Sequence, residues 1–151
     1  MKFFGKSKHS DHQKNSVLFV CVENAGRSQI AEGFFREYSP QGYESLSAGT
    51  IPASSINPLA IEVMREVGID ISKQRPKILT EDMIRKSTLR VNMGCVEKES
   101  CLLFIHDVID WKIEDPKGKP IEKVREIRDV IESRVRELVS NISKTNQSIN
   151  T

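Results

Sequence analysis

Val17-Leu18-Phe19-Val20-Cys21-Val22-Glu23-Asn24-Ala25-Gly26-Arg27-Ser28 decides how the chain is read. The run from Val17 to Val22 is continuously apolar and rich in β-branched side chains. It is too short for a buried helix and suits a strand buried on both faces. Glu23 to Gly26 make a turn, and beyond it Ile30, Phe34 and Tyr38 share one helical stripe with Ala31 and Phe35 beside it. A strand, a loop and a helix in that order put the loop at the strand's carboxyl end, where open parallel sheets bind ligands.

The alternation continues outward. Ser39-Pro40 and Gly42 end the first helix, and Tyr43 to Ala48 reads as a second strand closed by Gly49. Asn57 caps and Pro58 opens a second helix that stops at Gly68. Thr80 caps a short third helix with Asp82 in its first turn, Leu89 to Met93 is a third strand, and Asp107 to Trp111 is a weaker fourth. Pro120 opens the longest helix, whose apolar Val124, Ile127, Ile131, Val135, Leu138 and Ile142 recur at intervals of 3, 4, 4, 3 and 4. The pattern predicts an α/β fold: a single domain built on a four-stranded parallel sheet with helices on both faces. The domain is expected over residues 16–143, between a flexible polar tail at 1–15, with His9 and His12 solvated, and a frayed Ser/Thr/Asn/Gln-rich tail at 144–151.

Composition narrows the classes of function. In 151 residues, 38% are hydrophobic and 29% charged, which suits one globular domain and excludes disorder throughout. Lys and Arg number 23 against 21 Asp and Glu, so the net charge of +2 argues against a nucleic-acid partner held by bulk charge. No apolar run approaches the roughly 18–20 residues of a membrane span. The N-terminal stretch has only Phe3-Phe4 where an export signal needs a long apolar core, so a cytoplasmic protein with no membrane partner is expected, and it is read separately as a monomer. Three cysteines, Cys21, Cys95 and Cys101, do not make a disulfide framework. The glycine spacing of a dinucleotide fingerprint is missing after the first strand.

The loop from Val22 through Glu23, Asn24, Ala25, Gly26, Arg27 and Ser28 can turn successive N–H groups inward around a tetrahedral oxyanion, with a helix N-terminus adding positive charge. Arg27 offers a fork to two anion oxygens, and Gly26 and Asn24 tolerate positive φ. The same field favours the Cys21 thiolate, to which Ser28 can donate a hydrogen bond. The Glu23 carboxylate is expected to point outward, leaving only its N–H in the cradle. The ordinary alternative is a core cysteine ending a strand before an unremarkable turn.

With these residues in view, VLFVCVENAGRSQIAEGFF at 17–35, Ser47-Ala48-Gly49 and Glu66-Val67-Gly68-Ile69-Asp70-Ile71-Ser72 resemble the low-molecular-weight tyrosine phosphatase superfamily. They are most similar to its thioredoxin-coupled arsenate reductases, because Arg27-Ser28-Gln29 is followed by Ala31-Glu32-Gly33 where the phosphatases more often carry Pro after the Ser. The resemblance covers roughly residues 16–143 in separated blocks. It implies arsenate or a phosphate-like oxyanion as guest, Cys21 as nucleophile, Asp115 before Pro116 as general acid, and a mobile loop with a reactive pair, Cys95 and Cys101. Asp110 and Glu114 are rivals to Asp115, and Trp111 reads as a packing residue.

Two core cysteines, or a zinc site of Cys95, Cys101 and His106, are other readings of the second segment; the latter lacks a close Cys-x-x-Cys pair and a fourth nearby ligand. A bridge needs Cα atoms about 4.4–6.8 Å apart, which neither a helix nor an extended chain allows between Cys95 and Cys101. Oxidation is therefore expected to remodel residues 94–106. The leading expectation is arsenate reduction through a Cys21/Cys95/Cys101 relay, with thioredoxin or a similar dithiol protein as reductant. The alternative is phosphotyrosine hydrolysis through a Cys21 phosphocysteine, although Lys117-Gly118 stands where the phosphatases usually carry tyrosines. A non-catalytic thiol sensor or arsenite binder would keep the cysteines without needing Arg27 or Asp115. No organic cofactor is expected. Some relatives bind a potassium ion, and Asn24, Glu32, Ser47 and Asp70 stand at matching places.

Overall fold

The structure is a computed structural model that describes residues 14–94 and 108–150, the side chains of 146–150 excepted. In chain order the described elements are β1 (Asn15–Cys21), α1 (Arg27–Tyr38), β2 (Tyr43–Gly49), α2 (Pro58–Glu66), α3 (Glu81–Lys86), β3 (Leu89–Asn92), β4 (Val108–Asp110) and α4 (Ile121–Asn150).

The apolar run lies inside the sheet because both its faces must be covered. β1 pairs in parallel with β2 from Asn15↔Tyr43 to Cys21↔Gly49, and with β3 from Val17↔Leu89 to Val20↔Asn92. β4 extends the sheet in parallel beyond β3, giving the order β2-β1-β3-β4. Side chains alternate along β1. Val17, Phe19 and Cys21 join the larger core with residues of α1, α2 and α4, while Leu18 and Val20 meet Ala48 and Ile84 of α3 on the opposite face. Among the described residues, helices cover both faces as expected, but unequally: three on one side and the short α3 on the other.

Local signals behave as their chemistry dictates. Asn57 Oδ1 accepts from the Leu59 N–H at 2.9 Å and Thr80 Oγ1 from Met83 at 3.1 Å, so both expected caps form. Gly68, at φ +82°, ends the turn after α2, a conformation that disfavours any Cβ. Some boundaries differ from expectation. Val22 leaves the strand because its carbonyl accepts from Ile51 in the loop after β2, whereas Asn15, expected in the tail, already begins β1 with its N–H on Gly42 O. β3 ends at Asn92 and β4 spans only Val108 to Asp110.

The largest difference is at the C-terminus. The tail expected to fray from Lys144 continues α4 to Asn150. Ser, Thr, Asn and Gln cost only some tenths of a kcal/mol each relative to Ala. No Gly or Pro interrupts the segment after Pro120, so propagation has nothing to stop it.

The chain passes from β1 to β2 on one side and then crosses to β3 on the other. The strand order therefore reverses between β1 and β3, the place where such sheets open a crevice at their carboxyl ends. Cys21 ends β1 there, and Met93-Gly94 follow β3.

Candidate active site

A cleft of about 270 Å³ opens at this edge, lined by Cys21, Arg27 and Asp115 among others. It lies below the roughly 300–1,000 Å³ of pockets for drug-sized ligands, a size for a small guest. Its polar groups are graded by depth: Cys21 is 2% exposed, the Arg27 side chain 11%, Asp115 55% and Lys117 68%. The sulfur is thus reached through the cleft, past the charged groups.

The loop is shaped by what its carbonyls do. Those of Cys21, Val22, Glu23 and Ala25 accept from Thr50, Ile51, Ala53 and Asn57, all in the segment after β2. The Asn24 carbonyl accepts from Gln29 Nε2, and that of Gly26 from the Ile30 N–H. In a trans peptide the next N–H points opposite to the carbonyl. With six successive carbonyls turned into the protein, the N–H edges of residues 22–27 turn to the concave side, the geometry of an anion nest.

Asn24 makes the bend, at φ 52° and fully buried. Gly26 does not use positive φ (φ −135°). It must be glycine because a Cβ would lie 2.8 Å from Pro116 Cγ. Asn24 also serves the nucleophile. Its Nδ2 donates to Ser28 Oγ at 2.7 Å, and Ser28 Oγ lies 2.9 Å from Cys21 Sγ. Since Ser28 accepts from Asn24, its own proton is free to point at the sulfur. The Lys77 N–H holds Asn24 Oδ1 at 2.8 Å, and the fully buried Gln29 donates to the carbonyls of Asn24 and Arg75.

Arg27 is anchored more by protein than the sequence suggests. Nη1 donates to Met93 O at 2.9 Å and Ile113 O at 3.3 Å, and Nη2 lies 3.5 Å from Asp115 Oδ2. The backbone at Gly94 (φ +135°) packs so closely on this guanidinium that a Cβ would collide with it. Three rival acids are separated by their neighbours. Asp110 accepts from Asn92 at the end of β4, Glu114 faces Lys119 and Lys123, and Asp115 lines the cleft. Trp111 is 7% exposed and packs its ring 5.8 Å from Phe19, as a core residue.

Glu23 turns away from the nest. Its Oε2 meets Lys117 Nζ at 2.7 Å, and that bond together with the Asp115 charge holds the ammonium above its ordinary range. Ala53, Ser55, Ile56, Asn57 and Pro58 also line the cleft. Sequence reading took Asn57-Pro58 only as a helix start; the pairing of β2 with β1 is the signal that brings the loop after β2 to the same edge.

The four residues matching a potassium site each have a partner within the protein. Ser47 donates to Glu32 Oε1, and the half-buried Lys77 Nζ lies 3.9 Å from that oxygen and 3.5 Å from Ser47 Oγ. Burial lowers the Lys77 pKa, partly countered by Glu32. Asn24 Oδ1 is taken by the Lys77 N–H and Asp70 Oδ1 by the Ser72 N–H. An ammonium already supplies positive charge at Glu32, so a potassium ion there would compete with Lys77. Cys95, Cys101 and His106 lie outside the described residues, as does most of the 94–106 segment expected to remodel on oxidation.

The family model for low molecular weight phosphotyrosine protein phosphatase matches residues 16–148. A Staphylococcus saprophyticus protein named arsenate reductase 2 is 34% identical over 130 residues, covering 85% of this chain and 98% of its own. A solved Corynebacterium glutamicum thioredoxin-dependent arsenate reductase is similar at 36% identity and TM-score 0.75, over 94% of this chain and 73% of that one. An arginine phosphatase from Geobacillus stearothermophilus superposes with TM-score 0.81 at 26% identity, over 89% of this chain and 96% of that one.

Proposed function

The chain belongs to the low molecular weight phosphotyrosine protein phosphatase family, and from that premise we propose that it is an arsenate reductase. The observation that carries the reading is the convergence of Cys21, Arg27 and Asp115 on one small cleft beneath inward peptide N–H groups. Arsenate and phosphate share shape and charge, so a nest built for one holds the other.

The steps follow from thiol chemistry. The Cys21 thiolate attacks arsenic(V) to form an S–As bond. Asp115 gives a proton to the departing oxygen, which leaves as water. Peptide N–H groups and Arg27 balance the charge on the remaining oxygens. A Cys95 thiolate attacks the Cys21 sulfur; the S–As pair stays on arsenic, which leaves as arsenite(III), and a Cys21–Cys95 disulfide remains. Cys101 attacks Cys95, frees Cys21 and leaves a Cys95–Cys101 disulfide, which thioredoxin or a similar dithiol protein reduces. The two electrons gained by arsenic are thereby supplied by the partner.

Phosphotyrosine hydrolysis through a Cys21 phosphocysteine is the second reading, since Cys21, Arg27 and Asp115 suffice for it and the first step is shared. Among the described residues, the mouth of the cleft carries a Lys117–Glu23 ion pair rather than aromatic rings, which favours a free anion. Arsenite production with thioredoxin, its reductase and NADPH decides between them. Multiple turnover lost in each of Cys21→Ser, Cys95→Ser and Cys101→Ser supports the relay. Wild type that makes no arsenite, with phosphotyrosine hydrolysis abolished only by Cys21→Ser, selects the phosphatase.

A further inference from the structure

We propose that Glu23 and Lys117 form a clasp across the mouth of the cleft that admits free tetrahedral oxyanions and disfavours those esterified to a bulky group. The proposal rests on the reading of the cleft as an oxyanion site and names what sets its choice of guest.

The two residues belong to different loops, 94 positions apart, and their side chains meet at 2.7 Å. Both line the cleft that contains Cys21. Each is more exposed than Cys21, at 37% for Glu23 and 68% for Lys117, so their bridge lies nearer the solvent than a sulfur that is 2% exposed. The Lys117 N–H donates to Asp115 Oδ1 at 3.0 Å, which fixes the clasp beside the proposed acid.

Displacement at a tetrahedral centre places the leaving oxygen opposite the entering nucleophile. With sulfur at the bottom, that oxygen points outward toward Asp115 and the rim. Free arsenate or phosphate carries at most a proton there and fits beneath the bridge. An ester carries its alcohol there, and a ring on it must displace the Glu23–Lys117 contact.

The pairing also resolves the charge of Glu23, a carboxylate on the very loop that would hold a dianion. Lys117 neutralises it at 2.7 Å, so the rim does not repel the guest. Because both partners are exposed, the clasp biases the choice without barring it. Opening such a pair is worth about two- to fivefold in affinity.

The test uses two ligands, inorganic phosphate and phenyl phosphate. Their dissociation constants are read from protection of Cys21 against iodoacetamide, followed by mass analysis of the Cys21 peptide. Wild type is compared with Glu23→Ala, Lys117→Ala and the double variant. The expected result is that the ratio of phenyl phosphate to phosphate constants falls about two- to fivefold in all three. Phosphate alone should bind more tightly to Glu23→Ala and more weakly to Lys117→Ala, because charge acts on both ligands alike while the clasp acts on one. Raising the salt concentration should lower the ratio in wild type and leave it unchanged in the double variant. A ratio constant across the four proteins overturns the clasp while leaving the oxyanion site intact. Failure of phosphate to protect Cys21 in wild type overturns the oxyanion reading and the clasp with it.

Discussion

Asn24 shows how much one residue carries at this site. Its left-handed backbone bends the loop, its amide nitrogen reaches Ser28, and its carbonyl oxygens are held by Lys77 and Gln29. The sequence shows that Asn tolerates such a conformation; it does not show that the bend swings Nδ2 onto the hydroxyl facing the nucleophile. Cys21, Arg27 and Ser28 were legible from their order between a strand and a helix. The need for glycine at 26 was legible too, but for another reason, since contact with Pro116 rather than positive φ enforces it. Gly49 is constrained similarly from across the sheet, where a Cβ would lie 2.6 Å from Val22 O and 2.9 Å from Asn24 N. Those are backbone atoms of the loop and cannot move without deforming it. Gly49→Ala is expected to cost about 1–3 kcal/mol in denaturant unfolding and to weaken phosphate protection of Cys21.

Among the elements, α4 was the most legible because its apolar stripe extends over many turns and each repeat adds to the same signal. Val124, Ile131 and Val135 are fully buried on it, with Ile127, Leu138 and Ile142 nearly so. Ile131→Ala should destabilise by about 2–5 kcal/mol, read from the urea midpoint, because the packed neighbours cannot fill the space left behind. The same logic explains what was missed at its end. Polar composition signals that nothing beyond Lys144 need be buried, but a helix already nucleated needs no burial to run on. β4 was harder to bound because a strand of three residues carries almost no periodicity.

Across the molecule, α2 and α4 are tied by Glu66, whose carboxylate accepts from Arg125 Nη2 and Arg128 Nη1, each at 2.8 Å. The Arg125 bond above all, with Arg128, holds Glu66 below its ordinary value of 4.5. A carboxylate depressed in the folded state adds stability that is fully present above the unfolded value and disappears as pH falls through the folded one. Glu66→Gln is therefore expected to be less stable than wild type at pH 7. The gap between their thermal midpoints should shrink as pH falls below 4.5.

The sequence by itself determined that a buried strand runs into an anion-shaped loop with a thiol before it and a helix after it. Hydrophobic period and turn chemistry are local properties that neighbouring residues suffice to express. The tertiary structure decided that Asp115, rather than Asp110 or Glu114, lines the same cleft as Cys21, that Lys117 meets Glu23, and that an ammonium stands beside Glu32. Those pairings join segments brought together by strand order. Distance in space between residues far apart in the chain is set by packing, which no local pattern encodes.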